Sequence, residues 1–250
     1  LFIVTGATSG LGNGVARALL NENAKIIAVA RDNDKLNEFT RKFSGQVEPL
    51  MGDVTQTGTI QKILKQIENR YLNGVLINAG GPPAKSFLET NLEDWDAAYN
   101  SLLRWKVELI KALLPTFQNQ HYGRITFIES MSVKQPVANL VLSNSLRLAV
   151  VGFVKTLSQE VAKDGITATI LAPGFHDTPA AQRLFVKRSD VENISIAMAK
   201  QKYEAEIVIG RMGDTLEFGM LAAWLLSPHS GYITGQTISV DGGAIKGTMG

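Results

Sequence analysis

Seven short apolar runs recur along the chain, and between them apolar residues return every three or four positions. The runs are Leu1–Thr5, Lys25–Ala30, Val47–Leu50, Gly74–Ile77, Arg124–Ile128, Thr167–Leu171 and Gln236–Val240. They are nearly continuous in Val, Ile and Leu, the pattern of strands buried on both faces. The intervening stretches follow a helical period. Ile60, Ile63, Leu64 and Ile67 fall at i, i+3, i+4 and i+7, one stripe facing a sheet. Thr90 followed by Glu93 predicts a capping box that opens a long helix through Trp95, Trp105 and Leu114. Alternating strands and helices imply right-handed crossovers and an α/β fold: a doubly wound, mostly parallel seven-stranded sheet with helices on both faces. The stretch Phe175–Arg211 breaks the rhythm. It is helical in composition and follows the sixth strand, so residues 175–210 are expected to form a substrate lid within a single domain spanning 1–250.

Composition narrows the function classes. A chain of 250 residues, 45% hydrophobic, suits one domain with a large core. The formal net charge is +2 with Lys and Arg scattered, so no nucleic-acid partner is expected. No apolar run approaches the ~18 residues of a membrane span, so no membrane partner is expected either. The absence of Cys excludes disulfides and Cys-ligated metal, and suits a cytoplasmic location. Leu1-Phe2-Ile3-Val4 runs directly into a glycine loop and reads as a strand, not a signal peptide. No metal site is expected.

Candidate chemistry begins at Thr5-Gly6-Ala7-Thr8-Ser9-Gly10-Leu11-Gly12, between the first strand and the first helix. Glycines there permit a tight turn and let backbone N–H groups approach a pyrophosphate, whose charge suits a helix N-terminus. Gly52-Asp53-Val54 follows the third strand, Asn78-Ala79-Gly80 the fourth, and Pro173-Gly174-Phe175 with Thr178 the sixth. Ile233-Thr234-Gly235-Gln236 and Val240-Asp241-Gly242-Gly243 close the chain.

These motifs, in this order and with Gly-x-x-x-Gly-x-Gly spacing, resemble the short-chain dehydrogenase/reductase family, in particular a divergent branch like the 3-oxoacyl-carrier-protein reductases. The resemblance implies a Rossmann-type fold and a nicotinamide dinucleotide held by Thr5, Gly6, Thr8, Ser9, Gly10, Leu11, Gly12, Asp53, Val54, Asn78, Ala79, Gly80, Pro173, Gly174 and Thr178. It also implies a homo-oligomer, a tetramer or a dimer. Trp105, Leu109 and Leu113 then serve either at such an interface or in the core. NAD-preferring members place an acid at the position of Ala30 to hold the ribose 2′-hydroxyl. Here Arg31 follows instead, and a guanidinium pairs well with a 2′-phosphate, so NADP(H) is favoured over NAD(H). Asp32 and Ser9 weigh against that preference.

The proton-moving residues depart from the family pattern. The family uses a Tyr, a Lys four residues later, a Ser and an Asn. Aligned through Gly123-Arg124-Ile125, the Ser falls on Ser130, the Tyr on Ser143, the Lys on Arg147 and the Asn on Leu102. A Ser hydroxyl is a far weaker acid than a Tyr with its reference value near ~10. Arg147 stays charged, so it binds ribose hydroxyls or an oxyanion and is no base. His176 and Glu129 are the other candidate proton donors. The leading expectation is an NADP(H)-dependent oxidoreductase acting on a carbonyl or alcohol, such as a 3-oxoacyl thioester, with a non-standard proton-transfer site. The alternatives are a non-catalytic dinucleotide-binding sensor or scaffold, and a dehydratase or isomerase on the same fold.

Overall fold

In the computed structural model, described for residues 1–78 and 80–248, the seven strands form one all-parallel sheet in the order β3-β2-β1-β4-β5-β6-β7. The strands are β1 Phe2–Thr5, β2 Ile26–Ala30, β3 Val47–Met51, β4 Gly74–Ile77, β5 Gly123–Ile128, β6 Ile166–Pro173 and β7 Thr237–Val240. Each expected strand is present, its ends moved by at most two residues. β2, β4, β5 and β6 are buried along their whole length, as their continuous apolar sequences require. The helices are α1 Gly10–Asn21, α2 Asn33–Lys42, α3 Thr57–Ile67, α4 Leu92–Tyr99, α5 Trp105–Asn119, α6 Val141–Val161, α7 Pro179–Glu192, α8 Ile196–Glu204 and α9 Thr215–Leu226. Two apolar cores fill the opposite sheet faces. One joins Ile63 and Ile67 to Leu109, Phe117 and Val154; the other joins Val15 and Leu19 to Phe218 and Leu225.

Two expectations need correction, and one open choice is decided. The capping box lies one residue further on. Asn91 accepts from the Asp94 N–H at 2.9 Å and Asp94 accepts from the Asn91 N–H at 3.1 Å. Thr90 instead accepts from the Trp95 indole at 3.2 Å. The long helix is also not uniform. A π-turn over Asn100–Arg104 joins α4 to α5 and inserts extra backbone, which changes the face each later residue presents. Finally, Trp105, Leu109 and Leu113 are at most 1% exposed within a single chain, so they are core and not an interface.

Residues 175–210 form α7 and α8 around a small core of their own. Ala181, Phe185, Ala199, Ile207 and Met212 are buried together, with Phe175 and Tyr203 against them at ring centroids 4.9 Å apart. The order of strands reverses between β1 and β4, and a crevice opens there at the carboxyl ends.

Candidate active site

The crevice is a cleft of about 910 Å³ that runs from Arg31 and Asp53 at one end to Arg147 and Thr178 at the other. At its centre the glycine loop crosses from β1 to α1. Gly6 and Gly10 have φ of +67° and +54°, the left-handed region that side chains disfavour. Thr5 locks the loop to β4: its hydroxyl donates to the Asn78 carbonyl at 2.8 Å and accepts from the Asn78 N–H at 2.7 Å. Asn13 donates to the Ala7 carbonyl at 3.0 Å from the other side. Ser9, the N-cap of α1, makes no side-chain cap, and no acid stands in the first turn. The positive end of the helix is therefore left for an external anion, the arrangement a pyrophosphate fits.

Gly6, Thr8, Ser9, Gly10, Leu11, Arg31, Asp53, Val54, Asn78, Gly80, Pro173 and Thr178 line the cleft. Ala79 lies outside the described residues. Thr5, Gly12 and Gly174 support the wall from behind. A Cβ on Gly12 would meet the Gly6 carbonyl oxygen at 2.3 Å, and one on Gly174 would meet Asp241 at 2.7 Å. At the outer end the Arg31 guanidinium stands 3.8 Å from Asp53, with Arg31 largely exposed. Asp32 and Lys35 both join the cleft wall; Asp32 caps α2 by accepting from the Lys35 N–H at 3.1 Å and pairs with the Lys35 ammonium at 3.3 Å. Two cations that sequence reasoning missed thus enter the cleft, Lys35 here and Arg183 near Thr178.

The inner end is built from side-chain charge. Glu129, at the carboxyl end of β5, has a fully buried carboxylate. One oxygen accepts from Lys106 of α5 at 2.5 Å and the other from Arg147 of α6 at 3.0 Å. Arg147 also donates to the Glu129 carbonyl at 3.2 Å and, through Nε, to the Ser143 hydroxyl at 3.1 Å. Lys106 is 1% exposed. Burial pushes its ammonium below the ordinary lysine range, Glu129 opposes that shift, and Arg147 adds to it. Of this group Glu129 and Arg147 reach the cleft wall, together with Ser101 from the π-turn.

The remaining candidates are placed elsewhere. Ser130 caps the short 3₁₀ turn Met131–Val133, accepting from the Ser132 N–H at 3.1 Å, and Ser143 is buried beneath Arg147. Neither is among the described residues that line the cleft. His176 is buried against Phe218 at 5.3 Å between ring centroids, with Gly213 packed on its ring and Nδ1 3.2 Å from the Gly174 carbonyl. Burial lowers its pKa. Its surroundings are those of a packed structural histidine, outside the cleft wall. Leu102 is buried.

A family profile described as enoyl-(acyl carrier protein) reductase matches residues 6–244. The chain belongs to the short-chain dehydrogenase/reductase family of oxidoreductases. It is 29% identical over 243 residues to 3-oxoacyl-[acyl-carrier-protein] reductase FabG of Salmonella typhimurium, covering 96% of this chain and 95% of that protein. It is equally 29% identical, over 254 residues, to the NADPH-dependent reductase BacG of Bacillus subtilis, covering 97% of this chain and 96% of that protein. Among solved structures, YwfH, an NADPH-dependent reductase involved in bacilysin biosynthesis, superposes with a TM-score of 0.93 at 27% identity over 98% of both chains. Actinorhodin polyketide ketoreductase with NADPH gives 0.91 at 28% identity over 97% of this chain and 96% of its own. In this short-chain dehydrogenase/reductase the inner end of the cleft carries a buried Lys106–Glu129–Arg147 trio. Among the described residues no helix is long and apolar enough to cross a membrane.

Proposed function

We propose that the protein is an NADP(H)-dependent carbonyl reductase, with 3-oxoacyl thioesters as its first candidate substrates and Arg147 as its electrophilic residue. The observation that carries this reading is a guanidinium held rigidly at the wall of a dinucleotide cleft. Arg31 and Lys35 at the outer end, with Ala30 where an acid would select NAD, support the phosphorylated cofactor. A bound reduced nicotinamide supplies the hydride. Arg147 faces the substrate carbonyl and stabilises the negative charge that develops on its oxygen. The proton that completes the alcohol comes from water in the cleft, since Ser143 and His176 stand behind its wall and Glu129 is engaged by two cations. Forgoing a dedicated proton donor costs about 10²–10⁴-fold in rate. Residues 175–210, which bring Thr178, Pro179, Ala180 and Arg183 to the cleft, act as the substrate lid. The protein works as a homo-oligomer in the cytoplasm.

Titration with NADPH and NADH by nicotinamide fluorescence, followed by a panel of β-ketoacyl thioesters, diketones and aldehydes, tests the reading. Tighter binding of NADPH and its substrate-dependent oxidation are expected. Tight binding without oxidation across the panel would make the protein a cofactor sensor, and turnover of substrate without net oxidation of NADPH a dehydratase or isomerase.

A further inference from the structure

Lys106 has no counterpart among the four residues the family uses, yet it is one of the most deeply buried large side chains of the molecule. Its neighbours on α5 and around it are apolar: Trp105, Leu109 and Ile110 are all at most 2% exposed. An isolated ammonium in such surroundings is strongly destabilising, so its retention requires a partner, and Glu129 is that partner at 2.5 Å. Glu129 is at the same time the partner of Arg147 at 3.0 Å. One carboxylate is thus shared by two cations. A pair of Glu129 and Arg147 alone would be neutral; the third member leaves the group with one uncompensated positive charge. Among the described residues, no other acid lies within ion-pair distance of Lys106 or Arg147. The charge sits at the carboxyl end of β5, in the wall of the same cleft that Pro173 at the end of β6 and Thr178 at the start of α7 also line.

We propose that Lys106 is a positioning residue that, by sharing Glu129 with Arg147, keeps this end of the cleft at a net charge of +1 and biases it towards the reduced, uncharged nicotinamide over the oxidised, cationic one. The inference rests on the reading of the cleft as a nicotinamide dinucleotide site. Its physical content is the repulsion between two positive charges, which at an effective dielectric near ~20 and a separation of about 12 Å amounts to about tenfold in binding.

The test compares dissociation constants for NADPH, by fluorescence, and NADP⁺, by calorimetry, and reads their ratio. In Lys106→Met the group falls to zero charge, and NADP⁺ is expected to gain about tenfold on NADPH. Glu129→Gln leaves Lys106 buried without a counter-ion, so its ammonium sheds its proton, Arg147 alone carries the charge, and the group stays at +1 with the wild-type ratio expected. The double variant Lys106→Met/Glu129→Gln is likewise at +1 through Arg147, and the wild-type ratio is expected to return with it. A purely structural role would weaken both nucleotides together and would not shift the ratio in Lys106→Met only to restore it in the double variant. An unchanged ratio in Lys106→Met, or a double variant that keeps the ratio of Lys106→Met, overturns the inference while leaving the dinucleotide site in place. Failure of the wild-type protein to bind either nucleotide overturns that reading, and this inference with it. Should Lys106→Met not fold, Lys106→Gln, which removes the same charge and keeps a polar end against Glu129, reads the ratio in its place.

Discussion

The two ends of the cleft are built by different means. The outer end is made of backbone: a glycine turn, a helix N-terminus without a side-chain cap, and exposed cations at its rim. The inner end is made of buried charge, with Glu129 between Lys106 and Arg147. Backbone devices tolerate exchange of the side chains around them but not of their glycines. A buried charge group tolerates balanced changes and is intolerant of unbalanced ones. The glycine turn at the outer end is set by its own backbone, and nothing in it depends on Ser143 or Arg147 at the inner end.

The strongest way to break this contrast is to remove the shared carboxylate. Glu129→Ala leaves Lys106 and Arg147 buried without a counter-ion, and a loss of about 3–5 kcal/mol of stability is expected from the urea midpoint. A loss under about 1 kcal/mol would mean that the two cations find water, and that the inner end is less dry than its burial implies. At the outer end, Gly12→Ala drives a Cβ into the Gly6 carbonyl oxygen at 2.3 Å and the Asn78 amide at 2.7 Å. Gly6 belongs to the glycine loop and Asn78 to the turn after β4, both in the cleft wall, so NADPH affinity is expected to fall at least tenfold, alongside a stability cost of about 1–3 kcal/mol. An undisturbed NADPH titration would show that the loop yields. Arg31→Ala tests the rim. Because Arg31 is mostly exposed, the expected change is about tenfold in the preference for NADPH over NADH, with stability unaffected.

The smallest effect concerns His176, which lies behind the cleft. Its burial lowers its pKa, so the folded protein binds a proton there less readily than the unfolded chain. As pH falls below the ordinary histidine value of about 6.5, the unfolded chain gains protons first and stability is lost. His176→Asn is expected to flatten the decline in thermal midpoint between about pH 6.5 and 5 without altering the midpoint's order at pH 8. An identical decline in both proteins would place the acid sensitivity elsewhere.

Most of the scaffold was legible in the order of residues. Continuous Val/Ile/Leu runs report burial on both strand faces, and that pattern needs no knowledge of neighbours. The glycine loop was legible for the same reason, since a left-handed φ is a local demand. The cap falls on Asn91 and not on Thr90 because both residue types can cap, and the choice depends on the carbonyl and indole that engage Thr90. Lys106 carried a signal that was passed over. It lies four residues after Leu102 and four before Ile110, in the middle of an apolar helical stripe, where a charged residue needs a partner from another element.

The sequence by itself determined the alternation of strands and helices, the glycine turn after the first strand, and the presence of Ser143 and Arg147 one helical turn apart. Only the tertiary structure decided that Glu129 joins Lys106 to Arg147, that Ser143 serves Arg147 from beneath, and that His176 stands outside the cleft wall. The physical reason is one of range. Backbone conformation and hydrophobic period are set by residues within a few positions of each other. The pairing of buried charges is set by which ends of β5, α5 and α6 the packed sheet brings together.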